Sequence, residues 1–141
     1  MIDDTDFSGR NILVVGGSSG IGNGIAQGFR ARGANVHIWG TRASASDYSA
    51  DEGSDLEGLG YHCVDVGTPE AIETAEIPFD TLDSLILSQG TVLYRRQEFE
   101  REGWDRVMAV NIDSLMHCAR KFRPLLSASG GSIIIVSSTS G

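Results

Sequence analysis

A glycine-rich loop stands between a short apolar run and a segment with helical periodicity. The run Asn11–Val15 leads directly into Gly16-Gly-Ser-Ser-Gly-Ile-Gly22, after which apolar residues recur at helical spacing. A strand, a glycine turn and a helix in this order bring backbone N–H groups and the positive end of the helix dipole to one point, which favours a bound phosphate. The sequence therefore predicts a βα unit that binds a nucleotide pyrophosphate, and the alternative is a purely structural turn.

Strand-like and helical segments alternate along the rest of the chain. The predicted strands are 11–15, 35–39, 61–66, 82–87 and 131–136, and the predicted helices follow the glycine loop, cover 68–75 and occupy 101–126, the last either as one helix or as two that meet near Asn111. Residues 40–60 have no clear period and predict a loop with at most one helical turn. The continuous apolar run Ile133–Val136 is typical of a central strand covered on both faces.

This order of elements predicts one α/β domain over residues 1–141, built as a doubly wound parallel sheet of Rossmann type with about five strands. Thr68 and Pro69 suit the start of the helix over 68–75, as its N-cap and its first residue. The two cysteines, Cys63 and Cys118, stand in apolar contexts without a Cys-x-x-Cys motif. They indicate core thiols rather than a disulfide framework or a zinc site.

The charge balance argues against two classes of partner. The net charge is −8 and Lys121 is the single lysine, whereas binding to nucleic acids or anionic membranes needs clustered Lys and Arg. The N-terminus is acidic, and no stretch reaches the roughly 18 apolar residues of a membrane span. A soluble cytoplasmic protein is therefore the expectation.

The glycines follow a particular spacing. Val15-Gly-Gly-Ser-Ser-Gly-Ile-Gly22 resembles the Thr-Gly-x-x-x-Gly-Ile-Gly signature of the short-chain dehydrogenase/reductase family, with Val15 in place of the threonine. The resemblance implies a nicotinamide dinucleotide as cofactor. The loop residues that it assigns to cofactor binding are Gly16, Ser18, Ser19, Gly20, Ile21 and Gly22.

Two further segments fall where the family contacts the adenosine. Asp65-Val66 resembles the family's Asp-Val pair, whose carboxylate accepts a hydrogen bond from the adenine amino group; the alternative is an ordinary carboxylate at a strand end. Leu87-Ser-Gln-Gly90 takes the place of the family's Asn-Asn-Ala-Gly. Only the glycine is retained, and the resemblance implies that Ser88 and Gly90 pass beside the ribose.

The end of the second strand bears on the choice between NADP and NAD. An acidic residue there binds the ribose 2′-hydroxyl in NAD enzymes, but this sequence reads Trp39-Gly-Thr-Arg42. Arg42, with Thr41 and Ser44, predicts a clamp on the 2′-phosphate of NADP, so NADP is favoured over NAD. Alternatively, Arg42 is a solvated loop cation, and the basic residue that many NADP-preferring relatives carry before the second glycine is here Ser19.

Two residues resemble the first half of the family's catalytic set. Val136-Ser-Ser-Thr-Ser-Gly141 is similar to the Ser-Ser-x-x-Gly motif, which implies that Ser138 holds the substrate oxygen. Asn111, in Val110-Asn-Ile112, matches the helix asparagine that holds a water of the proton relay. The alternatives are a serine-rich loop and a helix kink.

The family's Tyr-x-x-x-Lys motif does not occur in the 141 residues. We therefore expect a fragment of a longer polypeptide, an NAD(P)-dependent oxidoreductase that interconverts a small-molecule alcohol and ketone. In such a fragment Ile133–Val136 would lack cover. The resemblance also implies a homo-oligomer assembled through the 101–126 helices. The alternative is a truncated, non-catalytic member of the family that binds a nucleotide or a partner subunit.

Overall fold

The computed structural model describes residues 3–139, and its five strands form one parallel sheet. The strands are β1 (Asn11–Val15), β2 (Asn35–Gly40), β3 (Gly60–Cys63), β4 (Ser84–Leu87) and β5 (Ser132–Ile135), and they lie side by side in the order β3-β2-β1-β4-β5. The predicted doubly wound parallel sheet is thereby confirmed. The third strand ends three residues before its predicted end, and the fourth begins two residues late.

Helices connect the strands and pack on both faces of the sheet. They are α1 (Gly20–Ala31), α2 (Pro69–Thr74), α3 (Arg101–Met108) and α4 (Ser114–Ser129). A π-helical turn, Ala109–Asp113, joins α3 to α4 and confirms a junction near Asn111. Thr68 is the N-cap residue of α2, but its side chain makes no capping hydrogen bond. The segment between β2 and β3 contains two short 3₁₀ turns, Ala45–Asp47 and Ala50–Glu52, where at most one turn was predicted.

The core consists of two apolar layers, one on each side of the sheet. Successive residues of β1 alternate between the layers, and both layers are sealed by helices, which is why Ile12 to Val15 are all buried. α1 covers the layer that contains Ile12 and Val14. α2 and α4 cover the other layer, where Trp39 and Phe122 place their ring centroids 5.5 Å apart.

β5 differs from the expectation of a strand covered on both faces. It forms an edge of the described sheet, with β4 beside it, and Ile133, Ile134 and Ile135 are 43 %, 45 % and 54 % exposed. The prediction of full cover is therefore wrong, and the expected lack of cover is confirmed for the three isoleucines, whereas Val136 is partly buried against the layer that α1 covers. Over residues 3–139, none of the helices has both the length and the apolar character that crossing a membrane requires.

The two cysteines have different surroundings. Cys118 is fully buried on α4, and burial raises the pKa of its thiol to about 12, as expected of a core residue. Cys63 is exposed at the end of β3, with its sulfur 3.6 Å from the carbonyl oxygen of Thr41. The prediction of two core thiols is therefore wrong for Cys63, because the side chain at the last position of β3 extends past the cover of the sheet.

Candidate cofactor-binding site

A cleft of about 220 Å³ lies at the carboxyl ends of β1, β2 and β4. β1 has β2 on one side and β4 on the other, so the chain reverses its direction of winding at this point. Ligands of open α/β sheets bind outside the strand ends at such a reversal. The predicted site residues that line the cleft are Gly16, Ser18, Ser19, Thr41, Asp65, Val66, Ser88 and Gly90. The fold thus brings together residues from four separate segments of the chain.

The glycine loop depends on the absence of side chains at two positions. Gly16 has φ +76°, and a Cβ atom there would lie 2.9 Å from the backbone of Ser88 and Gln89. A Cβ atom on Gly22 would lie 2.1 Å from the carbonyl oxygen of Gly16. The loop therefore folds closely onto itself and onto the end of β4, and this leaves a cradle whose wall is backbone.

The N-terminus of α1 adjoins this cradle. Ser19 occupies the N-cap position without a side-chain capping bond, and the first turn contains no acidic residue. N–H groups of a first helical turn have no partner within the helix and suit an anion. Ser18 is buried, whereas Ile21 is 69 % exposed beside the loop. A pyrophosphate can reach the helix end from solvent.

Asn23, which sequence reasoning missed, connects the glycine loop to the segment before β3. Its Nδ2 donates to the carbonyl oxygens of Gly17 (3.1 Å) and Asp55 (2.7 Å), and its Oδ1 accepts from the N–H of Asp55 at 3.0 Å. The side chain is buried, so its amide is satisfied within the protein. Because Asp55 is 32 residues away from Asn23 in the sequence, the local spacing of residues does not indicate this contact.

Asp65 stands at the cleft with both carboxylate oxygens engaged, its Oδ2 accepting from Oγ1 of Thr68 at 3.5 Å. Its Oδ1 accepts the N–H of Gly67 at 2.9 Å and lies 3.4 Å from Nη1 of Arg106, which belongs to α3 and also lines the cleft. A Cβ atom on Gly67 would lie 2.2 Å from that guanidinium, so the glycine makes room for it. Sequence reasoning missed Arg106, since nothing in the spacing relates it to a carboxylate 41 residues earlier.

Asn111 ties the segment after β4 to the π-helical turn. Its Oδ1 accepts from the N–H of Thr91 at 2.8 Å, and its Nδ2 donates to the carbonyl oxygen of Thr91 at 2.9 Å. Ser114 donates to the carbonyl of Val110 and accepts from Nε2 of Gln89 at 2.9 Å. These contacts hold residues 89–91 at two points. The role of Asn111 in a proton relay stays a prediction.

Arg42, two residues after β2, is solvent-exposed and paired with Glu52. Its Nη1 lies 2.7 Å and its Nη2 3.3 Å from the two carboxylate oxygens of Glu52. This hydrogen-bonded pairing raises the pKa of Arg42 and lowers the pKa of Glu52. Ser44 caps the adjacent 3₁₀ turn, with its Oγ accepting from the N–H of Ser46 at 3.3 Å. The sequence offered no reason to expect Glu52 at this place.

Ser138 is exposed and follows β5, at the same carboxyl end of the sheet as the cleft, but it is not among the residues that line the cleft. Gly141, which sets the register of the serine motif, lies outside the described residues. The substrate-holding role of Ser138 therefore stays a prediction.

The fold and the glycine-lined cleft together define a doubly wound α/β protein with a cleft at the winding reversal. The family profile for short chain dehydrogenase matches residues 10–141, and the chain belongs to this family. The family membership predicted from the glycine loop is thereby confirmed.

Curated relatives have names that fit this family. The chain is 34 % identical over 140 residues to the 3-oxoacyl-[acyl-carrier-protein] reductase FabG of Chlamydia muridarum, an alignment that covers 92 % of this chain and 55 % of that protein. It is 33 % identical over 143 residues to the D-beta-hydroxybutyrate dehydrogenase of Cupriavidus necator, with 96 % and 55 % covered. The chain thus spans about half the length of the relatives it matches.

Solved structures share the fold. A short-chain type dehydrogenase/reductase from Mycobacterium ulcerans superposes with a TM-score of 0.75 at 25 % identity, covering 94 % of this chain and 52 % of that one. An Escherichia coli CFT073 protein of the short chain dehydrogenase type, in complex with NADPH, superposes with a TM-score of 0.77 at 24 % identity. That alignment covers 97 % of this chain and 62 % of the other.

Proposed function

We propose that the intact protein is an NAD(P)-dependent oxidoreductase that interconverts an alcohol and a ketone by hydride transfer, and that this chain supplies its cofactor site. The observation that carries the proposal is the glycine loop at the winding reversal, whose close backbone packing Cβ atoms on Gly16 or Gly22 would prevent. The names of the relatives, a reductase and a dehydrogenase, are consistent with it.

Different residues of the cleft bind different parts of the dinucleotide. The backbone of the glycine loop and the first turn of α1 hold the pyrophosphate, with Ser18, Ser19 and Ile21 beside it. Asp65 accepts from the adenine amino group through a remaining lone pair of its carboxylate, whose Oδ1 accepts from Gly67 and whose Oδ2 accepts from Thr68. The backbone of Ser88 and Gly90 passes the ribose, and the side chain of Val66 forms an apolar wall. The nicotinamide ring, when bound, supplies or accepts the hydride.

NADP is the proposed form of the cofactor. Residues 39–42, at and after the end of β2, contain no carboxylate to bind a 2′-hydroxyl. Arg42, together with Thr41 and Ser44, is the proposed clamp on a 2′-phosphate. The NADPH complex of the Escherichia coli protein is consistent with this choice. NAD is the alternative cofactor.

Ser138 and Asn111 are the proposed contributions to catalysis. A serine hydroxyl after β5 can donate to the substrate oxygen, and an amide in the π-helical turn can order a water of the proton relay. We further propose a small-molecule carbonyl or alcohol as substrate, a homo-oligomer that assembles through α3 and α4, and a cytoplasmic location. Size-exclusion chromatography with light scattering tests the oligomer.

Titration of this chain with NADPH and NADH, followed by nicotinamide fluorescence, tests the cofactor site. We expect saturable binding of both, tighter for NADPH, and its loss in Gly22→Val, while circular dichroism verifies that the variant folds. Turnover belongs to the full polypeptide, assayed with both cofactors across a panel of ketones. Saturable binding without turnover on any carbonyl would contradict the enzymatic proposal, and absence of binding would contradict the cofactor site itself.

A further inference from the structure

Residues 41–54, here called the strap, fold back over the carboxyl end of β2. The phenol oxygen of Tyr48 accepts the N–H of Thr41 at 3.2 Å and the N–H of Arg42 at 3.1 Å. A Cβ atom on Gly40 would lie 2.6 Å from that oxygen and 2.8 Å from Oγ of Ser18. The strap therefore reaches the wall of the cofactor cleft, because Gly40 and Ser18 both line it.

The guanidinium of Arg42 is held entirely by the strap. Glu52 contacts Nη1 at 2.7 Å and Nη2 at 3.3 Å, the carbonyl oxygen of Asp47 accepts from Nη1, and the ring centroid of Tyr48 lies 4.6 Å from Cζ. The two charged side chains are 44 % and 49 % exposed. A carboxylate thus occupies the fork of Arg42 at the place where the proposed function puts a phosphate.

A carboxylate and a phosphate compete for the same guanidinium because both accept the same pair of N–H donors. They also repel one another, so a 2′-phosphate can bind the Nη1–Nη2 edge of Arg42 only when Glu52 leaves it. A ribose 2′-hydroxyl carries no charge and requires no such exchange. The resident carboxylate therefore penalises NADP and leaves NAD unaffected.

We propose that Glu52 is a specificity-determining residue, an internal competitor for the 2′-phosphate subsite that narrows the preference of the chain for NADP over NAD. This inference rests on the proposed cofactor site. Tyr48 acts as a positioning residue, because its hydroxyl and ring keep the strap closed with Glu52 on Arg42. The strap thereby weakens the preference for NADP over NAD that Arg42 would give without Glu52.

The size of the effect follows from the exposure of the pair. Exposed ion pairs contribute little, and the exchange replaces one ion pair by another. We therefore expect removal of the Glu52 charge to tighten phosphate binding about two- to fivefold.

Calorimetric titration of this chain with 2′,5′-ADP and with 5′-AMP tests the proposal, since the two probes differ only in the 2′-phosphate. In Glu52→Gln we expect the affinity for 2′,5′-ADP to rise two- to fivefold and the affinity for 5′-AMP to stay unchanged. The matched control is Asp51→Asn, which removes the same charge one position before Glu52. The Asp51 side chain is not among the described partners of Arg42. The double variant Arg42→Gln/Glu52→Gln should lose the gain.

The outcomes distinguish a failure of the role of Glu52 from a failure of the cofactor site. Equal tightening in Glu52→Gln and Asp51→Asn, or tightening of 5′-AMP as well, would overturn the role of Glu52 and leave the cofactor site standing. An unchanged affinity for 2′,5′-ADP would do the same. Binding of neither probe by the parent chain would instead contradict the proposed function.

Discussion

Asn111 and Thr91 exchange two hydrogen bonds, one from the Thr91 N–H to Oδ1 at 2.8 Å and one from Nδ2 to the Thr91 carbonyl oxygen at 2.9 Å. A single side chain thus gives the loop after β4 the backbone pairing that a further strand would otherwise provide. The π-helical turn carries Asn111 at its centre and so aims the amide at the loop. The position of Gly90 at the cleft depends on this clamp.

Asn111→Ala removes the clamp and leaves the N–H and carbonyl of Thr91 without their partner. We expect the free energy of unfolding in urea to fall by about 1–3 kcal/mol, the usual cost of losing a partner of part-buried polar groups. Affinity for NADPH should fall as well, because residues 88–91 lose their fixed position. Asp113→Ala, an exposed position in the same turn, is the control. Unchanged urea midpoints in both variants would show that the clamp contributes nothing to stability.

Gly22→Ala places a Cβ atom 2.1 Å from the carbonyl oxygen of Gly16, so the glycine loop must open. We expect NADPH affinity to fall at least about tenfold, since the backbone N–H groups of the glycine loop no longer point toward the same phosphate. Gly24→Ala is the matched control on the same helix, because its Cβ would meet nothing within 4 Å. That change should stabilise α1 by about 0.5–1 kcal/mol through helix propensity. Equal affinities for NADPH in the two variants would contradict the geometry of the cradle.

Arg106→Gln tests whether the guanidinium beside Asp65 belongs to the site. Both side chains are about half-exposed, at 48 % and 50 %, so we expect little change in stability. The affinity for 5′-AMP should fall about two- to fivefold, because Asp65 loses one of the contacts that orient its carboxylate. Arg101→Gln removes the same charge from an exposed pair with Asp105 on the same helix. A similar loss in both variants would indicate a general effect of charge rather than a contact.

The stability of the protein should decline below neutral pH because of His37. Burial, and next the charge of His62, whose Nε2 lies 2.9 Å from Nδ1 of His37, lower the pKa of His37 below its ordinary value of 6.5. In the unfolded chain His37 binds a proton near pH 6.5, whereas in the folded chain it does so only at lower pH. The contribution is therefore complete above pH 6.5 and is lost as pH falls from 6.5 through the folded pKa.

Urea unfolding midpoints between pH 7.5 and 5 measure this decline in the parent chain and in His37→Gln. The variant should be less stable at pH 7.5 and should lose less stability on acidification. Parallel pH profiles for the two proteins would rule out His37 as the cause.

The elements that the sequence predicted well are those whose signals are local. The glycine spacing of Gly16 to Gly22, the apolar runs of β1 and β2, and Pro69 at the start of α2 each depend on a few adjacent residues. Backbone sterics and hydrophobic periodicity act over the same short range. The weakly periodic strap, by contrast, was predicted as a loop, and its Tyr48 hydrogen bonds were not expected.

The sequence by itself determined the class of fold and the glycine loop, because the alternation of strands and helices and the glycine spacing depend on neighbouring residues, whereas the order of the strands and the cleft at the winding reversal come from the tertiary structure. Only the tertiary structure decided which charges meet there: Arg106 with Asp65 and Arg42 with Glu52. It also decided that the isoleucines of β5 are exposed and that Cys63 lies at the surface. Such pairings and exposures arise when distant segments pack together, and local periodicity carries no record of them.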